Sequence, residues 1–171
     1  MSEGNAGLLE VVVEIPAGTR NKYELDPATN RLLLKRQLPA SVAYPADYGF
    51  VPGTLAEDGD PLDALILIDE PVVPGGVVRV RLLGLLRLSD EHGQDPKLIT
   101  ILPETAQAEQ WDDIADVPRR RLDEIEHFFS VYKDLEKGFA ETHGYGDRAE
   151  AFEAVCAAQA RHRHARPSGD H

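Results

Sequence analysis

Residues 58–88 read DGDPLDALILIDEPVVPGGVVRVRLLGLLRL and contain two apolar runs, at 64–69 and at 77–88. Between the runs lies segment 70–76, whose two prolines and two glycines are typical of a turn. Short runs rich in Val, Ile and Leu that end at Pro and Gly are typical of buried β-strands. This part of the chain therefore predicts two strands of a mainly-β protein, with an acidic turn leading into the first strand.

The flanking sequence extends this pattern in both directions. Four more strands are predicted, at 8–15, 23–26, 31–36 and 97–102, and segment 27–30 (PATN) predicts a hairpin turn. Six short strands with turn signals between them favour a closed barrel over an open sheet.

Two helices are predicted after the strands. The first begins near Asp116 and Pro118, has apolar residues at helical spacing, and is expected to end at about residue 138. The second has a capping-box-like start at Asp147 and is expected to end at about residue 164. The fold class that follows is α+β and mainly β, with the strands first and the helices last.

Composition limits the classes of function. The 18 Lys and Arg residues are outnumbered by 30 Asp and Glu, and the formal net charge of −12 argues against nucleic-acid binding. The single cysteine, Cys156, excludes an intrachain disulfide and favours a reducing compartment. Glutamates precede the first basic residue, Arg20, which is unlike a secretory signal, and no apolar run is long enough to cross a bilayer. We therefore expect a single cytoplasmic domain, residues 1–171, with no membrane partner.

Acidic residues are concentrated around the first apolar run. Between Gln37 and Val78 there is no Lys or Arg, but there are seven acids: Asp47, Glu57, Asp58, Asp60, Asp63, Asp69 and Glu70. Three of them crowd the turn before the strand, where carboxylates repel each other unless a cation lies between them. Hard cations such as Mg²⁺ favour such all-oxygen surroundings. A solvated acidic turn is the alternative, whereas an EF-hand is excluded because Asp63 falls where that loop needs glycine.

A second acidic group, SDEHGQDPK at residues 89–97, also lies beside a predicted strand. Asp90 and Asp95 can add carboxylate ligands, and Lys97 places a cation at the edge of the group. Alone this segment is an ordinary polar turn. Two such groups at strand ends of one small barrel indicate a shared metal site.

Cations and phenols complete the pattern. The residues concerned are Lys22, Arg36, Lys133, Tyr44, Tyr48 and Tyr132. Lysine, arginine and tyrosine side chains around a bound divalent cation provide what a phosphate oxyanion requires. For Tyr132 the alternative is a core aromatic, because it shares the apolar stripe of its predicted helix.

Several of these segments match a known family as sequence motifs. They are EIPAG at 14–18, KYE at 22–24, Arg36, YPADYGF at 44–50, DGDPLD at 58–63, DEHGQDPK at 90–97 and HFFSVYKDLE at 127–136. In this order, over about residues 10–137, the chain resembles the soluble family I inorganic pyrophosphatases, most closely their bacterial branch. The resemblance implies an OB-like five-stranded closed barrel with flanking C-terminal helices, and it leaves the second helix and tail, 147–171, outside the matching blocks.

The resemblance also implies an activity and an assembly. The expected reaction is hydrolysis of inorganic pyrophosphate to two orthophosphates by direct attack of a metal-activated water. Several Mg²⁺ ions per active site, a substrate that arrives as Mg-pyrophosphate, and a homo-hexamer are implied as well.

Roles for individual residues follow from the same resemblance. Asp60 is the implied general base, and Tyr48 is placed with it as a catalytic residue. The implied metal ligands are Asp58, Asp63, Asp90, Asp95, Glu14 and Glu91. The implied substrate-binding residues are Lys22, Glu24, Arg36, Tyr44, Lys97, Tyr132 and Lys133.

Two other functions remain open on the residues. One is a Mg²⁺-dependent hydrolase of other phosphoanhydrides, which is weakened because the chain has no Gly-x-x-x-x-Gly-Lys loop for a nucleotide. The other is an acidic OB-like module that binds divalent metal without turnover. Such a module would have no use for Lys22, Arg36 and Lys133 beside the acids.

Overall fold

The computed structural model of the protein describes residues 7–166 and contains nine strands and three α-helices in that range. The strands are β1 Leu8–Ile15, β2 Asn21–Asp26, β3 Arg31–Gln37, β4 Asp47–Val51, β5 Leu62–Leu67, β6 Val77–Asp90, β7 Gly93–Gln94, β8 Lys97–Ile101 and β9 Ala140–Gly146. The helices are α1 Ala106–Gln110, α2 Arg119–Val131 and α3 Arg148–Ala165, and a short 3₁₀ helix spans Ile114–Asp116.

Five strands close into a ring. The pairing order is β1-β4-β5-β8-β6, and β6 pairs back with β1. Only the β5–β8 pair in this ring is parallel, and the other pairs are antiparallel. Strands β7 and β9 extend the sheet from β6, while β2 and β3 form a separate hairpin. The prediction of a five-stranded closed barrel with C-terminal helices is confirmed, but the predicted order of strands first and helices last is wrong, because β9 lies between α2 and α3.

Both faces of the ring strands are buried. In β5, Ala64 and Ile66 belong to a core cluster that includes α3, whereas Leu65 and Leu67 belong to the cluster that includes α2. Because helices cover part of each face, residues 64–67 of the strand form a continuous apolar run rather than an alternating one. Phe128 of α2 is fully buried against the second cluster, and burial of such a side chain stabilises the fold by about 1.5–3 kcal/mol.

The β2–β3 hairpin forms where it was predicted. Asp26 accepts hydrogen bonds from the Ala28 N–H (3.0 Å) and the Thr29 hydroxyl (2.8 Å), which holds the PATN turn together. Asn30 takes a positive φ of 55°, a conformation that asparagine tolerates well. The pairing places Lys22 opposite Arg36 near the open end of the hairpin.

The predicted start and end of the first helix are both wrong. Asp116 does not cap α2, because it lies in the 3₁₀ helix and accepts hydrogen bonds from the N–H groups of Asp112 and Asp113. The helix ends at Val131, seven residues before the predicted end at about 138. Its buried apolar stripe stops there, and the polar segment 133–138 folds into turns. The shorter helix brings this segment to the functional site.

The second predicted helix is confirmed. Asp147 caps α3 by accepting a hydrogen bond from the Glu150 N–H at 2.9 Å, and the helix ends at Ala165, one residue beyond the expected end. Residues 167–171 of the predicted tail lie outside the described part of the chain. Within residues 7–166, no helix is both long enough and apolar enough to cross a membrane.

Candidate active site

A cavity of about 530 Å³ collects most of the residues that the sequence singled out. The predicted site residues that line it are Lys22, Arg36, Tyr44, Tyr48, Asp58, Asp60, Asp63, Asp90, Glu91, Asp95, Lys97, Tyr132 and Lys133. Glu14 and Glu24 do not line it; they line an adjoining cavity of about 270 Å³. The two cavities share Lys22, Tyr48, Asp60 and Asp63, so Glu14 and Glu24 flank the same site.

Strand pairing places the central residues of the cavity side by side. Asp63 of β5 pairs with Lys97 of the parallel strand β8, and Tyr48 lies on β4 on the other side of β5. The Lys97 Nζ donates to Asp63 Oδ2 at 2.7 Å, to Asp95 Oδ2 at 2.8 Å and to the Tyr48 hydroxyl at 3.0 Å. An ammonium group has three N–H donors, so all of them are used by these partners.

The Lys97 ammonium neutralises two carboxylates in a nearly dry place. Only 3% of its side chain is exposed. Burial lowers the pKa of a lysine, but here Asp63, Tyr48 and Asp95 hold the pKa of Lys97 well above its ordinary value. Burial, reinforced by Asp63, also raises the pKa of Tyr48, whose hydroxyl donates to Asp63 Oδ2 at 2.7 Å. Lys97 is therefore a fixed positive charge, and Tyr48 is a neutral donor.

The acidic turn before β5 is tied to the C-terminal helix. The Leu55 N–H donates to the Ala158 carbonyl at 3.0 Å, and Arg161 Nη1 donates to the Leu55 carbonyl at 2.8 Å. Within the turn, Asp58 Oδ1 accepts from the Asp60 N–H at 3.0 Å. The pKa of Asp60 is raised by burial and then by the nearby carboxylates of Asp58 and Asp63. A carboxylate with a raised pKa is a better proton acceptor than a free Asp.

The second acidic group faces the turn that follows α2. The Lys133 Nζ lies 3.7 Å from Asp90 Oδ2 and 3.6 Å from Glu91 Oε1. Lys133 lies in the turn that begins directly after α2. The two acidic groups that were predicted to share a site do line one cavity.

Tyr132 is both a core aromatic and a residue of the cavity, which were the alternatives that the sequence left open. Its ring is buried in the core cluster of α2, with centroids 5.3 Å from Phe128 and 5.5 Å from Phe129. The same residue lines the cavity. Burial raises the pKa of Tyr132 above its ordinary value, so its phenol is protonated and can donate a hydrogen bond.

Not all of the seven acids between Gln37 and Val78 serve this site. Asp47 is fully buried away from the cavity, where Oδ1 accepts from the Ala17 N–H at 2.8 Å and Oδ2 from the Val72 N–H at 2.7 Å. The Asp47 carboxylate thus fixes the backbone at Ala17 and at Val72 to the start of β4. Glu57, Asp69 and Glu70 are exposed and do not line the cavity. Only Asp58, Asp60 and Asp63 remain as site acids from this stretch.

The cavity also contains residues that the sequence did not single out for the site: His92, Phe129, Glu136, Lys137 and Gly138. Three of them belong to the segment that was interpreted as the last turns of a helix. The polar run KDLEKG after Tyr132 was the available signal that the amphipathic helix had ended.

The donor set fits a hard divalent cation in its chemistry. Six of the predicted acids line the cavity, and they offer only oxygen atoms: Asp58, Asp60, Asp63, Asp90, Glu91 and Asp95. Within residues 7–166, no three Asp, Glu, His or Cys side chains already converge on one point as a ligand group. Instead, the Lys97 ammonium lies between two of the carboxylates.

Glu14 gives a prediction of pH-dependent stability. Burial raises the pKa of Glu14 from 4.5 to about 7, although its Oε2 accepts a hydrogen bond from the Leu25 N–H. Because the folded-state pKa is above the unfolded value, Glu14 loses its stabilising contribution as the pH rises through 7. In metal-free buffer near pH 8 we expect Glu14→Gln to be more stable than wild type, by at most about 3 kcal/mol.

Urea unfolding at two pH values measures this difference. Below the unfolded-state pKa of 4.5 the carboxyl is protonated in both states, and the variant should match wild type. Glu10→Gln, at an exposed position of the same strand, is the matched control and should leave the stability unchanged. Equal stability of Glu14→Gln and wild type near pH 8 would contradict the raised pKa.

Comparison with known proteins agrees with the motifs. A family model described as inorganic pyrophosphatase matches residues 11–163. The inorganic pyrophosphatase of Leifsonia xyli subsp. xyli is 49% identical over 147 residues, which cover 85% of this chain and 90% of that protein. The inorganic pyrophosphatase of Thermus thermophilus is 47% identical over 159 residues, and the alignment covers 91% of each protein.

Solved structures share the fold. The crystal structure of inorganic pyrophosphatase from Thermus thermophilus matches with a TM-score of 0.89 and 44% identity, and the match covers 95% of both chains. The inorganic pyrophosphatase of Helicobacter pylori matches with a TM-score of 0.89 and 39% identity, covering 93% of this chain and 95% of that one. The family model matches residues 11–163, and the Leifsonia xyli and Thermus thermophilus proteins are 49% and 47% identical to this chain. The chain therefore belongs to the inorganic pyrophosphatase family.

Proposed function

We propose that the protein hydrolyses inorganic pyrophosphate to two orthophosphates by direct attack of water, and that the substrate binds as its Mg²⁺ complex. One observation carries the proposal: a single cavity joins two groups of carboxylates to a set of lysine, arginine and tyrosine side chains. The cavity is lined by no serine, threonine or cysteine of residues 7–166, so a covalent intermediate on such a side chain has no support.

Each part of the cavity has a task in this reaction. Lys22, Arg36 and Lys133 bind the phosphate oxygens and neutralise the charge of the leaving phosphate. Tyr132 donates a hydrogen bond to the same oxygens, and Tyr44 supports it in the aromatic cluster. Asp58, Asp63, Asp90 and Asp95, together with Glu91 and Glu14, would hold the metal ions. When bound, Mg²⁺ would lower the pKa of the attacking water and would compensate the negative charge of the phosphates.

Lys97, Tyr48 and Asp60 prepare the acidic side of the cavity. Lys97 keeps two carboxylates together at a fixed separation, and Tyr48 fixes the Oδ2 atom of one of them. Asp60 accepts the proton of the attacking water, which its raised pKa favours. Glu24 lines the adjoining cavity together with Lys22, and its negative charge favours the charged form of that lysine.

Phosphate release from pyrophosphate, compared with ATP and tripolyphosphate, tests the proposal. Under Mg²⁺ we expect pyrophosphate to be the preferred substrate, since the chain lacks a nucleotide-binding glycine loop. Equal or faster release from ATP would favour the broader phosphoanhydride hydrolase. Calorimetric binding of Mg²⁺ with no release from any of the three substrates would favour a metal-binding module.

The proposed role of Asp60 leads to a prediction about turnover. Asp60→Asn should lower kcat at least ~10²-fold, the usual contribution of one positioned base, while Mg²⁺ affinity is mostly kept. Asp63→Asn is the comparison variant and should weaken Mg²⁺ affinity, since Asp63 is a proposed ligand. Steady-state rates and Mg²⁺ titrations measure both effects. If both variants lose only metal affinity, Asp60 is a ligand and not the base.

Another prediction separates the roles of the adjacent residues Tyr132 and Lys133. Lys133→Ala should lower kcat/KM by an amount worth ~1.5–3 kcal/mol, as for a hydrogen bond to a charged group, with little change in Tm. Tyr132→Phe keeps the buried ring, so it should lower kcat/KM through the lost hydroxyl and leave the Tm nearly unchanged. Unchanged kinetics in both variants would remove this segment from the site.

The assembly and location are also proposals. We propose a homo-hexamer in the cytoplasm, with Mg²⁺ as the metal and no nucleic-acid partner. The net charge of −12 supports the absence of a nucleic-acid partner, and the single cysteine supports a reducing compartment such as the cytoplasm.

A further inference from the structure

Glu136 lies in the cationic wall of the cavity, which we define as Lys22, Arg36, Lys133 and Lys137. Its carboxylate Oε2 accepts a charge-assisted hydrogen bond from Arg36 Nη1, although the two residues are 100 positions apart in the sequence. Glu136 comes from the turn after α2, whereas Arg36 comes from the β2–β3 hairpin. The contact therefore connects two elements that each supply phosphate-binding residues.

The ion pair leaves hydrogen-bonding capacity unused. Arg36 Nε and Glu136 Oε1 are both buried and have no hydrogen-bond partner among residues 7–166. Buried polar groups are normally satisfied, and a guanidinium has five N–H donors of which this carboxylate takes one. Because 36% of the Arg36 side chain is exposed, the remaining N–H donors of its guanidinium are available to an oxyanion that enters the cavity, such as a phosphate oxygen.

Arg36 needs an anchor to present this donor. It lies one residue before the end of β3, in a hairpin that is separate from the barrel ring, and 36% of its side chain is exposed. A long side chain in such a place loses rotamer entropy when a ligand fixes it. Lys22, opposite Arg36 in the hairpin register, adds a repulsive positive charge.

We infer that Glu136 is a positioning residue for pyrophosphate hydrolysis, which holds the Arg36 guanidinium so that its free N–H donors meet a phosphate oxygen. The inference rests on the proposed function. Glu136 acts through Arg36 and does not itself bind the substrate. The opposite possibility, that the Glu136 carboxylate competes with phosphate for Arg36, predicts effects of the opposite sign.

Steady-state hydrolysis of pyrophosphate by Glu136→Ala and Glu136→Gln tests the inference. Glu136→Ala should raise KM about tenfold and lower kcat by a smaller factor, because the anchor mainly affects binding. Glu136→Gln keeps a hydrogen-bond acceptor and should lie between Glu136→Ala and wild type. Calorimetry with inorganic phosphate should show a weaker Kd for Glu136→Ala by a similar factor.

A double-mutant cycle tests whether Glu136 acts through Arg36. In an Arg36→Ala background, Glu136→Ala should change kcat/KM less than twofold, since there is no guanidinium left to position. Asp123→Ala is the matched control, because it removes an acid from an exposed ion pair with Arg119 on α2 and should leave kcat and KM unchanged. Thermal unfolding of each variant shows whether a kinetic change reflects loss of the fold.

The outcomes that overturn the inference are distinct. A lower KM or tighter phosphate binding in Glu136→Ala would mean that Glu136 competes with the substrate. Unchanged constants in both Glu136 variants, or a full effect of Glu136→Ala in the Arg36→Ala background, would also overturn it. If Glu136→Ala does not fold, Glu136→Gln decides by the same criteria. Failure of the wild-type protein to hydrolyse pyrophosphate would instead overturn the proposed function.

Discussion

Removal of divalent cations is expected to abolish pyrophosphate hydrolysis, and added Mg²⁺ is expected to restore it. Carboxylates from both acidic groups line the cavity, and the Lys97 ammonium is fully used by Asp63, Asp95 and Tyr48. A multiply charged phosphate anion would be repelled by the remaining acids unless cations accompany it. Phosphate release in excess EDTA measures the effect, and we expect it to fall below detection.

Two controls make this result specific to the metal. EDTA saturated beforehand with Mg²⁺ should leave the rate unchanged, and the Tm in EDTA should stay high enough to show that the fold persists. Replacing Mg²⁺ with Ca²⁺ should not restore turnover, because Ca²⁺ is larger and accepts more irregular coordination. Full turnover in excess EDTA would contradict the proposed use of the carboxylates.

The elements that local sequence predicts well are those whose pattern is complete within a few residues. Strand β1 was predicted with its observed bounds, and the β2–β3 hairpin was predicted around a turn that Asp26 stabilises with its own side chain. The start of α3 was likewise predictable, because Asp147 caps it with a local hydrogen bond. In the hairpin turn and at the start of α3 the stabilising interaction lies within the segment itself, whereas β1 was predictable from its apolar composition and the Pro and Gly that end it.

Strands β4 and β9 were missed because their structure comes from partners far along the chain. Residues 44–50, YPADYGF, have no strand-like alternation, yet β4 forms between β1 and β5. The approach of β1 is so close that a Cβ on Gly49 would lie 1.9 Å from the Val12 carbonyl oxygen. Strand β9, AETHGYG, is mostly polar and forms because the long strand β6 offers it an edge.

The site residues also divide into those that local sequence predicts and those that depend on contacts remote in sequence. Most of the cavity residues could be predicted from the chemistry of their motifs, since carboxylates, cations and phenols were concentrated in a few segments. Glu136 could not, because its role depends on where α2 ends and on a contact with Arg36 across the fold. The role of Asp47, one of the seven acids of the stretch without Lys or Arg, was equally unpredictable, since its two backbone partners, Ala17 and Val72, are remote in sequence.

Replacement of Lys97 by methionine is expected to destabilise the fold strongly. Methionine has a similar length and fills the space, but it leaves the Asp63 and Asp95 carboxylates without the ammonium that lies 2.7 and 2.8 Å from them. Breaking a buried ion pair by removing one partner costs about 3–5 kcal/mol, because the remaining charge is not compensated. We expect a loss of this size for Lys97→Met in metal-free buffer near neutral pH.

Urea unfolding in EDTA measures this loss, and the pH dependence identifies its cause. Lys97 lowers the pKa of Asp95, so without it the Asp95 carboxylate binds a proton more readily in the folded state and the deficit should shrink as the pH falls. Lys35→Met on the exposed side of β3 is the matched control and should change stability by no more than about 0.5 kcal/mol. A loss for Lys97→Met of less than about 1 kcal/mol, or one independent of pH, would show that the ammonium does not hold these carboxylates together.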